Sequence, residues 1–220
     1  MNAGEHTFDE AASLALASAA EWRLLGLLLE RPHGAWALAL EQLREEVSDA
    51  DLRRAVEAAG DASEGFYLAL LGPGGAVPSR LVGYRRFSDP GWVLSDLTRF
   101  YDAFSFRAES EDPRDHIAVA VQFVGYLFLK EAFACSSGDP DATAVTVLAR
   151  ERFIEEHLQP VAHPFADRLA PIAPEYLVFA TRALAARVAA PLAEPATLAH
   201  VDEVDADLDM CGSCVARSTE

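Results

Sequence analysis

The chain has 220 residues, 51% of them apolar, with only 13 glycines and 12 prolines. That is enough for one domain with a substantial core, and too few backbone breakers for a disordered or fibrous chain. Its 35 acidic residues outweigh 18 basic ones, for a net charge of −17; a field of that sign repels phosphate backbones and anionic membranes, which argues against nucleic acid as a partner, and attracts a cationic peptide, although acidity also serves solubility alone.

Residues Met1 to Glu10 carry Glu5, His6, Asp9 and Glu10 where a secretory signal has a basic stretch followed by an apolar one, so a cytoplasmic protein is expected. Asp9 is placed to cap a first helix, whose apolar positions Leu14, Leu16, Trp22, Leu25, Leu28 and Leu29 recur at helical spacing until Pro32 to Gly34 stop it. A second helix is expected from Trp36 to Val47. Ser48 with Asp51 resembles a capping box for a short helix ending at Gly60, and Ser63 opens another that reaches Leu71.

Gly72-Pro73-Gly74-Gly75 cannot continue a helix, and Pro78 and Pro90-Gly91 keep Ala76 to Gly91 irregular; loops of that length usually have a function. Helix resumes from Gly91 to about Phe106, with Trp92, Leu97, Phe100, Tyr101 and Phe104 as a bulky face. Asp112-Pro113 is a favoured cap and first-turn pair, with Asp115 adding charge at the helix start. The helix that follows is apolar around most of its circumference (Ile117, Val119, Val121, Phe123, Leu127, Phe128), so it is expected at the centre. Its strongly apolar stretch, Ile117 to Leu129, has 13 residues, short of the roughly 20 that span a bilayer, and no membrane insertion is expected.

Asp139-Pro140 repeats the capping device for a helix to about Leu158, and Pro160 and Pro174 begin two more, the last ending near Pro191. No alternating run suggests a strand, so the fold class is all-α. Residues 1–192 read as one helical domain. Residues 193–220, with Asp202, Glu203, Asp205, Asp207 and Asp209, read as a mobile acidic tail.

No phosphate-binding glycine loop, HExxH pair or GxSxG elbow is present, so nothing points to an enzyme or to a bound cofactor. Asp112, Asp115 and His116 form a first-turn cluster in which carboxylates can receive a guanidinium; plain helix capping explains the same residues. Cys211 and Cys214 form a CxxC that could bind zinc with His200, Asp205 or Asp209, could exchange disulfides, or could simply sit on a tail. With Cys135 the thiols number three, an odd count suited to a reducing compartment, and Cys135 itself is expected to be inert. His157 and His163 have no metal-binding spacing and read as packing or capping residues.

Three segments in order resemble motifs of the TorD/DmsD/NarJ superfamily of redox-enzyme maturation chaperones. Tyr67, Leu70, Leu71, Gly72, Pro73 and Gly74, with Pro78 following, resemble its YxxLFxGPG…P helix end and loop. Asp112-Pro113-Arg114-Asp115-His116, leading into Phe123, Tyr126 and Leu127, is similar to EPxDHxxxxLxFxxxL. Phe153, His157, Leu158 and Phe165 resemble FxxxHLxxWxxxF. Asp112 stands in place of the usual Glu, Val161 in place of Trp, and Ser79 and Arg80 depart from the small or aromatic residues common there. The CxxC tail resembles that of chaperones serving periplasmic dimethyl-sulfoxide-reductase-like enzymes.

The resemblance implies about ten helices and a chaperone, not an enzyme, that binds the twin-arginine signal of a molybdopterin oxidoreductase's catalytic-subunit precursor until its cofactor is inserted. In that reading Asp115 pairs with a client arginine, Asp112 adds charge beside it, His116 orients the arginine or fixes the helix start, and Tyr67, Pro73 and Tyr84 line the groove. Two alternatives remain: a metal-binding or redox adaptor acting through Cys211 and Cys214, and a structural subunit with a broad apolar face.

Overall fold

Carboxylates and a hydroxyl start four of the helices in this chain, each by accepting from a backbone N–H that the first turn leaves unpaired. The computed structural model describes residues 3–85, 89–108, 110 and 112–189. Among them are nine α-helices: α1 (Ala3–Leu28), α2 (Trp36–Arg44), α3 (Ala50–Ala58), α4 (Glu64–Leu71), α5 (Pro90–Ala103), α6 (Ile117–Ser136), α7 (Pro140–Phe153), α8 (Gln159–Leu169) and α9 (Glu175–Arg187). No strand is found among the described residues, only one isolated antiparallel bridge, Arg80 to His116. The all-α expectation holds, with one helix fewer than the ten the resemblance implied.

Several boundaries moved for identifiable reasons. Helix α1 begins at Ala3, so Asp9 lies inside it and is not its cap. The cap of α3 is Asp49, not Ser48: Asp49 has extended backbone and accepts from the Leu52 N–H at 2.9 Å, while Ser48 Oγ turns to Glu21 at 3.4 Å. In α5 Pro90 is the first helical residue behind Asp89, which accepts from the Gly91 N–H at 2.6 Å. Ser63 and Asp139 cap α4 and α7 as expected, at 3.2 and 2.9 Å.

Pro160 stands in the first turn of α8, as expected, but α8 follows the preceding helix without a gap. A π turn at Ile154–Leu158 joins α7 to α8 without a break, and the wider turn absorbs the donor that the Pro160 nitrogen lacks.

Helix α6 is the central rod, packed by α1 on one side and α7 on another. At 20 residues it is longer than the apolar stretch read from the sequence. It and Glu10–Leu28 of α1 are long and apolar enough to cross a bilayer, but most of α6 is buried by its neighbours. Gly125 permits the close approach of α1, since a Cβ there would lie 3.2 Å from the Arg23 backbone nitrogen. Around Phe123, which is fully buried, the rings of Tyr101, Phe106 and Phe153 pack at centroid distances of 4.9, 5.2 and 4.7 Å. Tilted and edge-on pairs of this kind add to the area they bury.

The acidic tail and its CxxC, Cys211 and Cys214, lie outside the described residues.

Candidate functional site

After α4 the chain reverses through Gly74, whose φ of +76° suits glycine, and the Ala76 and Val77 N–H groups return to the Ala69 and Leu70 carbonyls at 3.1 and 2.9 Å. Ser79 Oγ donates to the Leu71 carbonyl at 2.8 Å, and the Tyr84 hydroxyl to the Pro78 carbonyl at 2.8 Å. A 3₁₀ turn covers Leu81–Tyr84. Residues 72–85 are thus a folded strap with its own hydrogen bonds.

The strap is joined to the start of α6. The Leu81 N–H donates to the Asp115 carbonyl at 2.8 Å, and the Ile117 N–H to the Ser79 carbonyl at 2.9 Å. Arg80 Nε and one terminal nitrogen both reach Asp115 Oδ1, at 2.8 and 2.7 Å. The Asp115 side chain is fully buried while Arg80 is 47% exposed. Asp115 Oδ2 has no hydrogen-bond partner among the described residues.

His116, not Asp112, caps α6: its Nδ1 accepts from the Ala118 N–H at 3.3 Å. Burial pushes the imidazole below the ordinary histidine pKa, against the pull of the Asp112 and Asp115 carboxylates. Asp112 remains partly exposed, 4.0 Å from His116 Nδ1.

The other proposed residues divide by depth. Tyr67 is buried and donates to the Leu29 carbonyl at 2.9 Å; burial, then the Asp112 carboxylate, raises its phenol pKa. It braces α4 against α1 and does not line a surface. Pro73 is exposed at the tip of the strap. Tyr84 is half-buried, edge-on to Phe165 and under the Arg168 guanidinium, its phenol pushed up to about 12 by burial.

The strap has a second anchor that the sequence reading missed. Arg85 donates to His157 Nδ1 at 3.4 Å, and His157 Nε2 lies 3.0 Å from Asp96 Oδ2, with Arg99 also on Asp96. Burial, then the Arg85 guanidinium, brings His157 down to about 4, against the Asp96 carboxylate. The neutral imidazole therefore donates from Nε2 to Asp96 and accepts at Nδ1. Asp96, Glu156 and His157 present donor atoms within 4.8 Å of one another, a geometry that could hold a metal; here Arg85 and Arg99 already supply the positive charge. The signal in the sequence was Asp96 itself, a carboxylate on the apolar face made by Val93, Leu97 and Phe100.

A groove of about 790 Å³ lies between α1, α6, the end of α2 and the segment after α5. Its lining includes the small residues Ala19, Ala20 and Gly125, the apolar Leu16, Leu27, Tyr126 and Leu129, and the charged or polar Arg23, Glu30, His33, Glu46 and Arg107. The antiparallel pairing of α1 with α6 sets Leu16 and Leu129 toward one end and Glu30 toward the other. Asp112, Asp115 and His116 are not among the residues that line it. Nothing in the helical periodicity announced this groove.

No curated protein matches the chain. A family model described as nitrate reductase delta subunit matches residues 35–167, which hold the strap, the cap of α6 and the π turn. That span is 133 of 220 residues, and the chain belongs to the nitrate reductase delta subunit family, the NarJ/TorD-type chaperones of redox-enzyme maturation.

Proposed function

We propose that this chain acts in the cytoplasm, before export, by binding the twin-arginine signal of a molybdopterin oxidoreductase precursor until cofactor insertion is complete. That it is a molybdoenzyme maturation chaperone follows from its family. The observation that carries the finer reading is the groove: its apolar side chains Leu16, Leu27, Tyr126 and Leu129 can take an apolar peptide stretch, and the Glu30 carboxylate stands toward one end, where a preceding arginine would come.

In this reading Asp115 receives a client guanidinium, with the partly exposed Asp112 adding charge beside it, and the apolar stretch lies between Leu16, Tyr126 and Leu129. His116 acts from beneath by fixing the start of α6. Pro73 and Tyr84 offer the outer face of the strap, and Tyr67 holds it in place. The net charge of −17 speeds the encounter with a cationic segment. The protein acts without catalysis, without a cofactor of its own, and without inserting in a membrane or binding nucleic acid.

Calorimetric titration with a synthetic peptide carrying two consecutive arginines ahead of an apolar stretch tests this. Saturable binding that weakens with lysine in place of arginine is expected. No binding of that peptide or of the unloaded precursor sinks the reading.

A further inference from the structure

Resting on that reading, we propose that Arg80 is a built-in occupant of the Asp115 carboxylate, standing where an arginine of the client goes and leaving when the client arrives.

The pairing is lopsided. A guanidinium and a carboxylate bind best as a fork, two nitrogens on two oxygens. Arg80 instead brings two nitrogens to Oδ1 alone, and Oδ2, fully buried, has no partner among the described residues. A guanidinium arriving from outside can span both oxygens, so it gains a contact that Arg80 does not make.

Arg80 is also free to leave. Its side chain is 47% exposed, so it returns to water at little cost. The strap does not depend on it: the backbone bonds of Leu81 and Ile117 and the side-chain bonds of Ser79 and Tyr84 hold the segment without the guanidinium. Asp115, by contrast, cannot stand alone, because a buried carboxylate without a cation is strongly unfavourable. The carboxylate therefore exchanges one cation for another and is never left bare. Such a site admits arginine and discriminates against lysine, whose ammonium is a point charge without a fork. Client selection is then a competition between the protein's own arginine and the partner's.

The experiment uses the full chain and its Arg80→Gln and Arg80→Lys variants, each checked for a cooperative melt. Peptides with two arginines or two lysines ahead of the same apolar stretch are titrated by calorimetry. Arg80→Gln is expected to bind the arginine peptide about fivefold more tightly than the unmodified protein, in keeping with the loss of one half-exposed competing ion pair, with a smaller gain for the lysine peptide. In a second arm, arginine amide is expected to raise the melting temperature of Arg80→Gln more than lysine amide does, and adding Asp115→Asn is expected to abolish the difference. Unchanged or weaker arginine-peptide binding by Arg80→Gln, or equal effects of the two amides, overturns the proposal. If the unmodified protein binds neither peptide, the client reading fails instead, and the amide arm still decides whether Asp115 exchanges guanidinium ions.

Discussion

His157 Nε2 lies 3.0 Å from Asp96 Oδ2, and through this one bond the π turn between α7 and α8 is tied to the middle of α5. The pair is enclosed by Phe100 and Phe153, with ring centroids 5.6 and 4.9 Å from the imidazole. A neutral histidine in such a place links stability to pH. The unfolded chain takes up its proton near pH 6.5, the folded one only near 4. Stability is therefore full above pH 6.5 and falls as pH drops between those values, by on the order of 3 kcal/mol. His157→Gln is expected to flatten that part of the profile, measured as urea midpoints from pH 7 to 4. A profile as steep as that of the unmodified protein removes His157 as the cause.

His116 contributes as a cap through Nδ1, and only while that nitrogen is unprotonated. His116→Ala is expected to cost about 1 kcal/mol, and His116→Asn, which restores a side-chain acceptor, to recover most of it. Denaturant unfolding at pH 7.5 measures both. Equal losses would mean that the packing of the ring, not the cap, is what the site needs.

Leu129 is 49% exposed on the wall of the groove, so Leu129→Glu is expected to change stability by no more than about 0.5 kcal/mol. The same change puts a charge beside the apolar segment of a bound peptide and is expected to weaken binding roughly tenfold, a difference of about 1.4 kcal/mol. Unaltered affinity in calorimetry moves the client away from this groove.

Ser105 ends α5 with a φ of +56°, while the Ser105 and Phe106 N–H groups return to Asp102 and Tyr101 at 3.1 and 2.8 Å. This is the double hydrogen bond of a Schellman ending, with serine where glycine is usual. Ser105→Gly is expected to stabilise the fold by roughly 0.5 kcal/mol, the relief of a left-handed serine offset by a freer unfolded chain. A lower melting temperature would show that the hydroxyl, which faces the groove region, matters more than the backbone strain.

Much of the helical outline was legible because helix starts and stops are local events. Ser63 and Asp139-Pro140 fix backbone dihedrals and N–H partners within three residues, and a sequence records such short-range chemistry directly. The long apolar circumference of α6 likewise announced a central rod, since only a helix covered on most sides can bury it. Asp112, Asp115 and His116 could be singled out for the same reason, as a cluster of chargeable groups within five residues.

What each of those residues does was decided by contacts between segments far apart in the chain. The sequence placed Asp115 at a helix start; the fold buried it and supplied Arg80, 35 positions earlier. Asp112 was the better cap by pattern, yet the strap pairing fixed the Arg80–His116 register and left His116 at the first free N–H groups. Asp96 and His157 meet across 61 positions, and the groove exists only where α1 and α6 approach at Gly125. Local propensity sets dihedrals, which depend on neighbours in the chain. Burial, pairing and cavity shape depend on neighbours in space, and those were chosen by the packing of the whole apolar core.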